Sequence, residues 1–408
     1  MGSASTKGPP RLPTQAEGAV VYNPYAYEVH EDPYPVYERL REEAPLYHNE
    51  ELGFWALSRH ADVFAGFRNT EDLSNRRGVS LDATMTENAE NTMSFLAMDP
   101  PRHTRMRALV SRVFTPRRVA ALEPGIRELA RHYIERFDGP RCEFISDFAG
   151  RLPMDVVSQM LGVPEADRET LRKWADLVVH REEGSRDIPT AGLEAALEIV
   201  GYFEHSLADR RDKSGEDLTD ALLAAEIDGD SLSEREIIGF LFLMIIAGNE
   251  TTTKLLANAL YWAWRNPDQF ELVRNDPSLV PAWVEETLRY DPSSQALART
   301  SSRELEWYGQ TVPADSMVVL LVGAANRDPR VFDHADVYDI RRDTTDTMAF
   351  GHGTHFCLGA SLARLEARVA LEELLGSFAG YELDPDGLER VHSVNVRGFS
   401  AMPVEFKK

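Results

Sequence analysis

Hydrophobic residues recur at helical spacing along most of this chain. Apolar positions three and four residues apart predict a helix over residues 32–44 and a series of helices over residues 102–290, separated by turns that contain proline. One more helix is predicted from just after residue 357 to about residue 378. The pattern therefore predicts a protein that is mainly α-helical.

Short apolar runs bounded by turn residues predict a smaller β component. Strands are expected at residues 54–57, 304–307 and 317–322, and a small sheet at residues 394–406. Residues 70–98 are polar and show no clear period, so we expect a long loop there, and loops of that length are often functional. The predicted fold class is α+β, mainly α with small β-sheets.

Length, charge and cysteine content narrow the class of protein. The chain has 408 residues, 43% of them hydrophobic, and a formal net charge of −23. Because proteins that bind nucleic acid usually carry a basic surface, this charge argues against such a partner. The two cysteines, Cys142 and Cys357, lie far apart, which suits a reducing compartment and excludes a disulfide framework. We interpret Cys142 as a small residue that is wholly or partly buried.

No membrane segment is visible in the sequence. The longest apolar run, residues 239–248, is about half the length that a spanning helix needs. The first 15 residues are small and polar and lack an apolar signal core. We therefore expect a cytoplasmic protein in which residues 1–20 are a disordered tail or a non-native remnant and residues 21–408 form a single domain.

A glycine-rich loop places a cysteine directly before the last predicted helix. Residues 350–359 read FGHGTHFCLG, with Cys357 as the eighth residue. The glycines permit backbone conformations that a residue with a Cβ resists, so a flat cofactor can approach the sulfur closely. Backbone N–H groups of the turn and the start of the next helix favour the thiolate. The loop is suited to hold an iron–sulfur bond.

This loop resembles the haem-ligand loop of the cytochrome P450 monooxygenases. The resemblance implies the cytochrome P450 fold, with haem b between an oxygen-binding helix and the Cys loop, and residues 21–408 as the catalytic domain. Cys357 would be the iron ligand, and Phe350, Gly351 and Gly359 would belong to the haem-binding loop. O2 would be the co-substrate, with electrons coming from NAD(P)H through redox partners. The absence of a membrane segment fits the soluble bacterial type.

An acid and an alcohol interrupt the apolar helix upstream, where residues 247–252 read AGNETT. Ala247 and Gly248 are small enough for haem and oxygen to lie against the helix, although Gly costs roughly 1 kcal/mol relative to Ala in a helix interior. Thr251 could open the helix locally and hold a water, and Glu250 could relay protons from solvent. The set resembles the proton-delivery motif of the family. The alternative is that the threonine hydroxyls only donate to carbonyls one turn earlier.

Four basic residues are candidates for contacts with the haem propionates. His103 and Arg107 are four residues apart and share a helix face, Arg299 lies farther along, and His355 precedes the cysteine by two. All four match family positions for such contacts, and charge-assisted bonds are the expected way to hold buried carboxylates. Taken singly, His103 or Arg299 would more often be solvated.

Two further groups of charges match family elements. Glu286 and Arg289, three apart on a helix, resemble the structural Glu-x-x-Arg element, whose third partner we place within residues 336–342, with Arg341 favoured. Arginines also crowd one region of this acidic chain, which suits steering of an acidic electron carrier such as a ferredoxin with its reductase. They are Arg102, Arg105, Arg107, Arg112, Arg117 and Arg118, with Arg364 expected close by. The alternative is a solvated helix face.

The residues expected around the substrate are apolar, which suits a hydrophobic small molecule that is hydroxylated or epoxidised. They are Met93, Phe95, Leu96, Phe240, Leu243, Met244, Leu297 and Phe399. Similarity to soluble bacterial members suggests a natural product such as a polyketide or macrolide; a steroid, terpenoid or fatty acid is the alternative. Asp82, Glu87 and Glu90 could face a cationic group such as an amino sugar, or simply water. We expect a monomer.

Three other activities are alternatives to the monooxygenase interpretation. A peroxide-driven peroxygenase usually lacks the acid–alcohol pair, so Glu250 and Thr251 count against it. The same pair counts against a haem-binding protein without turnover. A cysteine hydrolase using Cys357 and His355 is disfavoured because the two lie two residues apart on a loop, with no third group to orient the histidine.

Overall fold

A computed structural model describes residues 18–82, 89–182, 187–210, 217–227 and 229–408. Three of the sequence-based expectations fall outside this part of the chain. They concern the N-terminal tail up to residue 17, Glu87 and the side chain of Arg112.

Helices form most of the described structure. They span Tyr27–Glu31 (α1), Tyr34–Glu43 (α2), His60–Arg68 (α3), Ala89–Met93 (α4), Arg102–Val113 (α5), Pro116–Ala120 (α6), Glu123–Glu135 (α7), Arg151–Leu161 (α8), Glu165–Val179 (α9), Thr190–Arg210 (α10), Leu218–Leu223 (α11), Glu234–Arg265 (α12), Pro267–Asn275 (α13), Val280–Tyr290 (α14), Val322–Ala325 (α15) and Ala360–Ser377 (α16). Short 3-10 turns lie at Ser94–Ala97, Pro277–Leu279, Gly353–His355 and Pro385–Gly387, and a π turn lies at Ile145–Ala149.

The strands are short and form small sheets. They span Leu46–Asn49 (β1), Phe54–Leu57 (β2), Leu73–Ser74 (β3), Arg141–Glu143 (β4), Glu226–Ile227 (β5), Asp230–Ser231 (β6), Ala296–Ser301 (β7), Leu305–Trp307 (β8), Gln310–Val312 (β9), Met317–Leu321 (β10), Gly380–Leu383 (β11), Glu389–Arg390 (β12), Phe399–Ala401 (β13) and Pro403–Lys407 (β14). The main sheet has the order β1-β2-β10-β7-β3, and a second has the order β11-β14-β4. The predicted fold class, mainly α with small sheets, is confirmed.

The main sheet is covered on both faces, as the sequence of β2 requires. This strand reads FWAL, and all four residues are buried. Phe54 and Ala56 join the core on one face, whereas Trp55 and Leu57 join the core on the other. In the neighbouring strands, Arg299 of β7 pairs with Val318 of β10, which fixes one of the candidate site residues on a buried strand.

Helix α12 runs through the largest core. It begins with a capping box, in which Ser233 and Glu236 satisfy each other's backbone N–H groups, and it ends just before Pro267. By length and composition α12 could cross a membrane, but 67% of its most apolar stretch is buried inside the protein. Such burial is typical of a central core helix.

The described residues of the predicted loop over residues 70–98 include regular elements. They form β3, α4 and a 3-10 turn. Val79 and Met93 are buried against Leu297, and the ring of Phe95 lies 6.1 Å from that of Phe240 on α12. The apolar anchors of this segment follow neither a helical nor a strand period, so the pattern did not reveal them.

Candidate active site

Hydrogen bonding closes the cysteine loop upon itself. The N–H of Cys357 donates to the carbonyl of Phe350 at 2.9 Å. Gly351 and Gly353 have φ values of +67° and +72°, where side chains are strained. A Cβ at Gly353 would also lie 3.0 Å from the carbonyl oxygen of Phe67. These two glycines are therefore required by the turn, while Gly359 has an ordinary φ.

The sulfur of Cys357 lies in a mixed electrostatic environment. Burial raises the pKa of the thiol, whereas the backbone N–H groups of Gly359 and Ala360 and the charges of Arg107 and Arg364 act to lower it. The residue nevertheless keeps exposed surface. Donors and cations thus surround the position where a thiolate would form.

The structure brings together the four basic residues that were predicted to act as a set. The rings of His103 and His355 lie 4.0 Å apart, and both side chains are buried. Neither nitrogen of either ring has a hydrogen-bond partner among the described residues. Arg299 is 2% exposed and donates to the carbonyl of Ala298. Arg107 adds a second guanidinium, placed 5.7 Å from the ring centroid of Phe95.

Burial and mutual repulsion dominate the electrostatics of this basic cluster (His103, Arg107, Arg299 and His355). Burial lowers the pKa of Arg299 to about 10 and that of His103 to about 4. Burial and the neighbouring cations lower the pKa of His355 to about 2. The nearest acid, Asp99, is engaged by Ser74 and the N–H of Asn75.

Within the described residues no carboxylate hydrogen-bonds to the basic cluster. Buried donors without acceptors are costly, so such a cluster fits a ligand that brings its own anions. Two propionates of a haem satisfy that requirement, and the residues present therefore fit this cofactor.

Helix α12 presents small residues on an open stretch of its surface. Ala247 is exposed and Gly248 is half-buried although most of the helix is buried, and Leu243 and Met244 are also partly accessible. A Cβ at Gly248 would meet the side chain of Val157 on α8 at 3.4 Å, which is an ordinary contact, so packing against α8 does not itself require glycine here. Among the expected lining residues, Phe399 is 2% exposed and packs on Tyr261 and Arg390 instead.

The hydroxyl of Thr251 donates to the carbonyl of Ala247 at 2.8 Å, one turn earlier. This is the alternative geometry considered for the sequence motif. The carbonyl of Thr251 accepts from the hydroxyl of Ser293 at 2.7 Å, so it is not bound only within the helix. The residue is half-buried and reaches the same accessible stretch as Ala247.

Glu250 belongs to a buried network of charges. Its carboxylate lies 3.3 Å from Lys254 Nζ, and both side chains are at most 6% exposed. The carboxyl group of Asp176 on α9 also acts on the pKa of Glu250. Burial opposes ionisation, but Lys254, Asp176 and Arg172 outweigh it and hold the pKa of Glu250 below its usual value.

Sequence reasoning missed the partners of Glu250. Lys254 was detectable, because it follows Glu250 by four residues on the same helix. Asp176 gave no signal, since it lies on another helix 74 positions away in a chain of many acids. Glu366 of α16 was missed as well. Burial raises the pKa of Glu366 well above its usual value, and the Thr252 side chain lowers it by less.

The structural Glu-x-x-Arg element has a different third partner from the one predicted. Glu286 and Arg289 are both fully buried and 2.7 Å apart. Arg342 approaches Glu286 at 3.5 Å, whereas Arg341 is exposed. The prediction of Arg341 was wrong by one position, because the turn at Asp339 sets which side chain points inward and sequence spacing does not reveal that.

Several arginines of the expected basic patch and two acids of the expected acidic loop form ion pairs within the chain. Arg102 binds Glu90, Arg105 binds Asp230 and Glu236, and Arg364 binds Glu285. Asp82, expected to be exposed, is fully buried and forms a two-bond ion pair with Arg181 at 2.9 and 3.0 Å.

Comparison with known proteins assigns the family. The family model described as Cytochrome P450 matches residues 193–390. Cytochrome P450 123 of Mycobacterium tuberculosis is 55% identical over 388 residues, covering 94% of this chain and 96% of that protein. The chain belongs to the cytochrome P450 family. The resemblance noted from the sequence is confirmed.

Solved structures agree on the fold. Cytochrome P450 CYP109Q5 from Chondromyces apiculatus superimposes with a TM-score of 0.84 at 36% identity, covering 94% of this chain and 97% of that one. The cytochrome P450 fold is thereby confirmed. The chain is a cytochrome P450 monooxygenase, and the family implies haem, O2, a small-molecule substrate and redox partners.

Proposed function

We propose that this cytochrome P450 inserts one oxygen atom from O2 into a hydrophobic small molecule, by hydroxylation or epoxidation, with Cys357 as the iron ligand. The observation that carries the proposal is the basic cluster of His103, Arg107, Arg299 and His355 beside the cysteine loop. Among the described residues the buried ring nitrogens of His103 and His355 have no hydrogen-bond partner, and the two carboxylates of a haem would supply one. Arg107 of the same cluster is close enough to Cys357 for their charges to interact.

In this proposal the chain provides the iron ligand, the residues that hold the haem and the residues that deliver protons. Bound haem b would supply the activation of O2, favoured by a thiolate ligand. The basic cluster would hold the propionates, and Phe350, Gly351 and Gly359 would shape the loop around Cys357. Ala247 and Gly248 would leave room for O2 against α12. Residues 21–408 would act as one catalytic domain.

Proton delivery is proposed to involve Glu250 and Thr251. Glu250 is almost fully buried and lies 3.3 Å from Lys254 Nζ, so it can pass a proton without exposing the site to bulk water. The Thr251 hydroxyl lies on the accessible stretch of α12 and would position a water between Glu250 and the oxygen. This pair favours O2-driven turnover over a peroxygenase.

For the substrate we propose a bacterial natural product such as a polyketide or macrolide. One similar structure, at 32% identity and a TM-score of 0.85, is the Bacillus subtilis bacillaene polyketide synthase cytochrome P450 PksS. A steroid is the second candidate, because CYP109E1 from Bacillus megaterium, 31% identical, was solved with corticosterone. The partly accessible Leu96, Leu243, Met244 and Leu297 suit either class.

Electrons are proposed to come from NAD(P)H through a ferredoxin reductase and a ferredoxin. The exposed Arg117 of α6 and the exposed Phe356 beside the ligand offer a charged and an apolar contact on the cysteine side. We further propose that the enzyme works in the cytoplasm as a monomer, without membrane or nucleic acid.

Isotope labelling tests this proposal. Testosterone serves as probe, with a surrogate ferredoxin, its reductase, NADPH and ¹⁸O2. We expect each product molecule to carry one ¹⁸O atom. We expect no product when hydrogen peroxide, added without catalase, replaces O2 and NADPH. Product labelled from water, or equal support by peroxide alone, would contradict an O2-dependent monooxygenase.

A further inference from the structure

The backbone carbonyl of Thr251 is hydrogen-bonded by a residue outside its own helix. Ser293, in the segment between α14 and β7, donates its hydroxyl to this carbonyl at 2.7 Å. Ser293 is 5% exposed, so water competes little for the bond. The hydroxyl of Thr251 itself donates to the carbonyl of Ala247 at 2.8 Å. Thr251 is thus held through its side chain from within α12 and through its backbone from another segment.

The segment that carries Ser293 is itself fixed in place. The carbonyl of Ser293 accepts from the N–H of Arg397 at 2.7 Å, and Arg397 Nε donates to the buried carboxylate of Asp291 at 2.8 Å. Asn258 of α12 donates to the carbonyls of Asp291 and Arg397 at 3.0 and 3.3 Å. Asn258 follows Thr251 by about two helical turns. The support of Ser293 is therefore attached to the same helix on which Ser293 acts.

A hydrogen bond from outside changes the geometry of a helix at the carbonyl that accepts it. In a continuous α-helix the carbonyl of Thr251 points to the N–H of Leu255, four residues on. A side chain that takes the same carbonyl draws it aside and lengthens that bond, which is a known cause of local helix bending. Helix α12 continues from Glu234 to Arg265, so the effect of Ser293 is confined to the turn at Thr251.

The hydroxyl of Thr251 is left with one available function. Because its proton lies on the carbonyl of Ala247, the hydroxyl oxygen can accept a hydrogen bond but cannot donate a second one. The side chain lies on the accessible stretch of α12, together with Ala247. A water held there would donate to Thr251, and the direction of that bond depends on how the backbone of Thr251 is held.

We propose that Ser293 is a positioning residue. Its hydroxyl holds the carbonyl of Thr251 so that the Thr251 hydroxyl keeps the direction needed to accept from that water. No covalent bond changes in this role, and Ser293 acts only through Thr251. The inference rests on the proposed role of Thr251 in proton delivery and adds the residue that orients it.

Hydrogen exchange, followed by NMR on the diamagnetic reduced and CO-bound protein, tests this action without turnover. In Ser293→Ala the carbonyl of Thr251 is left to Leu255 alone, so we expect the Leu255 N–H to exchange about threefold more slowly. Ser293→Thr keeps a hydroxyl and should behave like the wild type. A bond that only ties two segments together would give the opposite sign when removed. Unchanged or faster exchange at Leu255 in Ser293→Ala would therefore overturn the inference.

Thr219→Val is the matched control for both experiments. Thr219 of α11 is 1% exposed, and its hydroxyl donates to the carbonyl of Leu161 on α8 at 2.8 Å. The substitution removes a buried bond of the same kind, from a hydroxyl to a helix carbonyl of another element. It should leave the exchange of Leu255 and the coupling of electron use to product at their wild-type values.

Coupling, measured as product and hydrogen peroxide per NADPH with the testosterone probe, gives the second readout. Ser293→Ala should raise the share of NADPH that ends in hydrogen peroxide about twofold and leave the Kd of the probe unchanged. Ser293→Thr should restore the wild-type ratio. Wild-type coupling in Ser293→Ala would refute the inference alone. Wild-type protein that makes no product would instead refute the proposed function.

Discussion

At the residue scale, the site depends on a few buried side chains whose roles become clear only together. His103 and Arg107 come from α5, Arg299 comes from β7, and His355 comes from the 3-10 turn of the cysteine loop. Each alone would be an unexplained buried cation or a neutral histidine without partners. Because the four side chains converge beside Cys357, together they suit the binding of an anion, as proposed for the haem propionates.

Removing one of these charges should loosen the haem. We expect Arg299→Gln to release haem to apomyoglobin about tenfold faster, because a buried charge-assisted bond is lost. Arg303→Gln is the control, since Arg303 is 66% exposed and pairs with Asp72 outside the site. Equal release rates for the two variants would argue against a propionate contact.

The sequence predicted the members of this site because motif spacing reports them directly. It did not predict the burial of Asp82, nor the partners of Glu250, because those contacts join segments far apart in the chain. It also could not decide between the two geometries of Thr251. Sequence spacing thus finds residues, whereas the direction of each side chain needs the packed structure.

At the element scale, α12 contributes buried residues to the core and also holds the residues proposed for proton delivery. Thr251 and Thr253 both donate to the carbonyl one turn earlier, at 2.8 and 3.0 Å. Thr253 is buried and also contacts the carbonyl of Ala149, whereas Thr251 lies at the accessible stretch. The same type of hydrogen bond therefore has a structural role at Thr253, whereas at Thr251 it lies where we propose proton delivery.

Removing the two hydroxyls should separate these roles. Thr251→Ala should divert at least half of the consumed NADPH to hydrogen peroxide, because water is no longer held beside the oxygen. Thr253→Ala should lower stability by about 1 kcal/mol and leave coupling unchanged. Product and peroxide are measured per NADPH. Unchanged coupling in Thr251→Ala would exclude its role in proton delivery.

Helix α14 is fixed to the segment that leads to the cysteine loop by Glu286, Arg289 and Arg342. Arg289 also donates to the carbonyls of Asn326, Ala335 and Val337. The sequence revealed the pair but misplaced its third partner, since neighbouring arginines differ only in the direction that the turn gives them.

Breaking this buried pair should be far more damaging than removing the misassigned arginine. Arg289→Met should lower the free energy of unfolding by about 3–5 kcal/mol, because Glu286 is left buried without its charge partner. Arg341→Gln should change it by less than about 0.5 kcal/mol, as expected for an exposed residue. Urea unfolding followed by circular dichroism measures both. Similar losses in the two variants would contradict the assigned partner.

At the scale of the whole molecule, part of the expected basic patch is paired within the chain. The chain carries a net charge of −23, and Arg102, Arg105 and Arg364 of the expected patch bind acids of the same chain. Composition predicted the overall sign and the large core. It could not predict which arginines of the patch form these ion pairs.

Arg117, an exposed arginine of α6, should matter for electron delivery. Arg117→Gln should raise the ferredoxin concentration for half-maximal turnover about threefold at low salt, and the difference should vanish at high salt. Arg303→Gln removes the same charge elsewhere and should have no such effect. Identical behaviour of both variants would show that net charge, and not this surface, governs docking.

The most direct test of the whole account is the absorption spectrum of the reduced, CO-bound protein. Thiolate ligation by Cys357 predicts a Soret band strongly red-shifted from that of a His-ligated haem, and loss of that band in Cys357→Ser. A band at the His-type position in the wild-type protein, or an unchanged red-shifted band in Cys357→Ser, would contradict the assignment of Cys357 as the iron ligand.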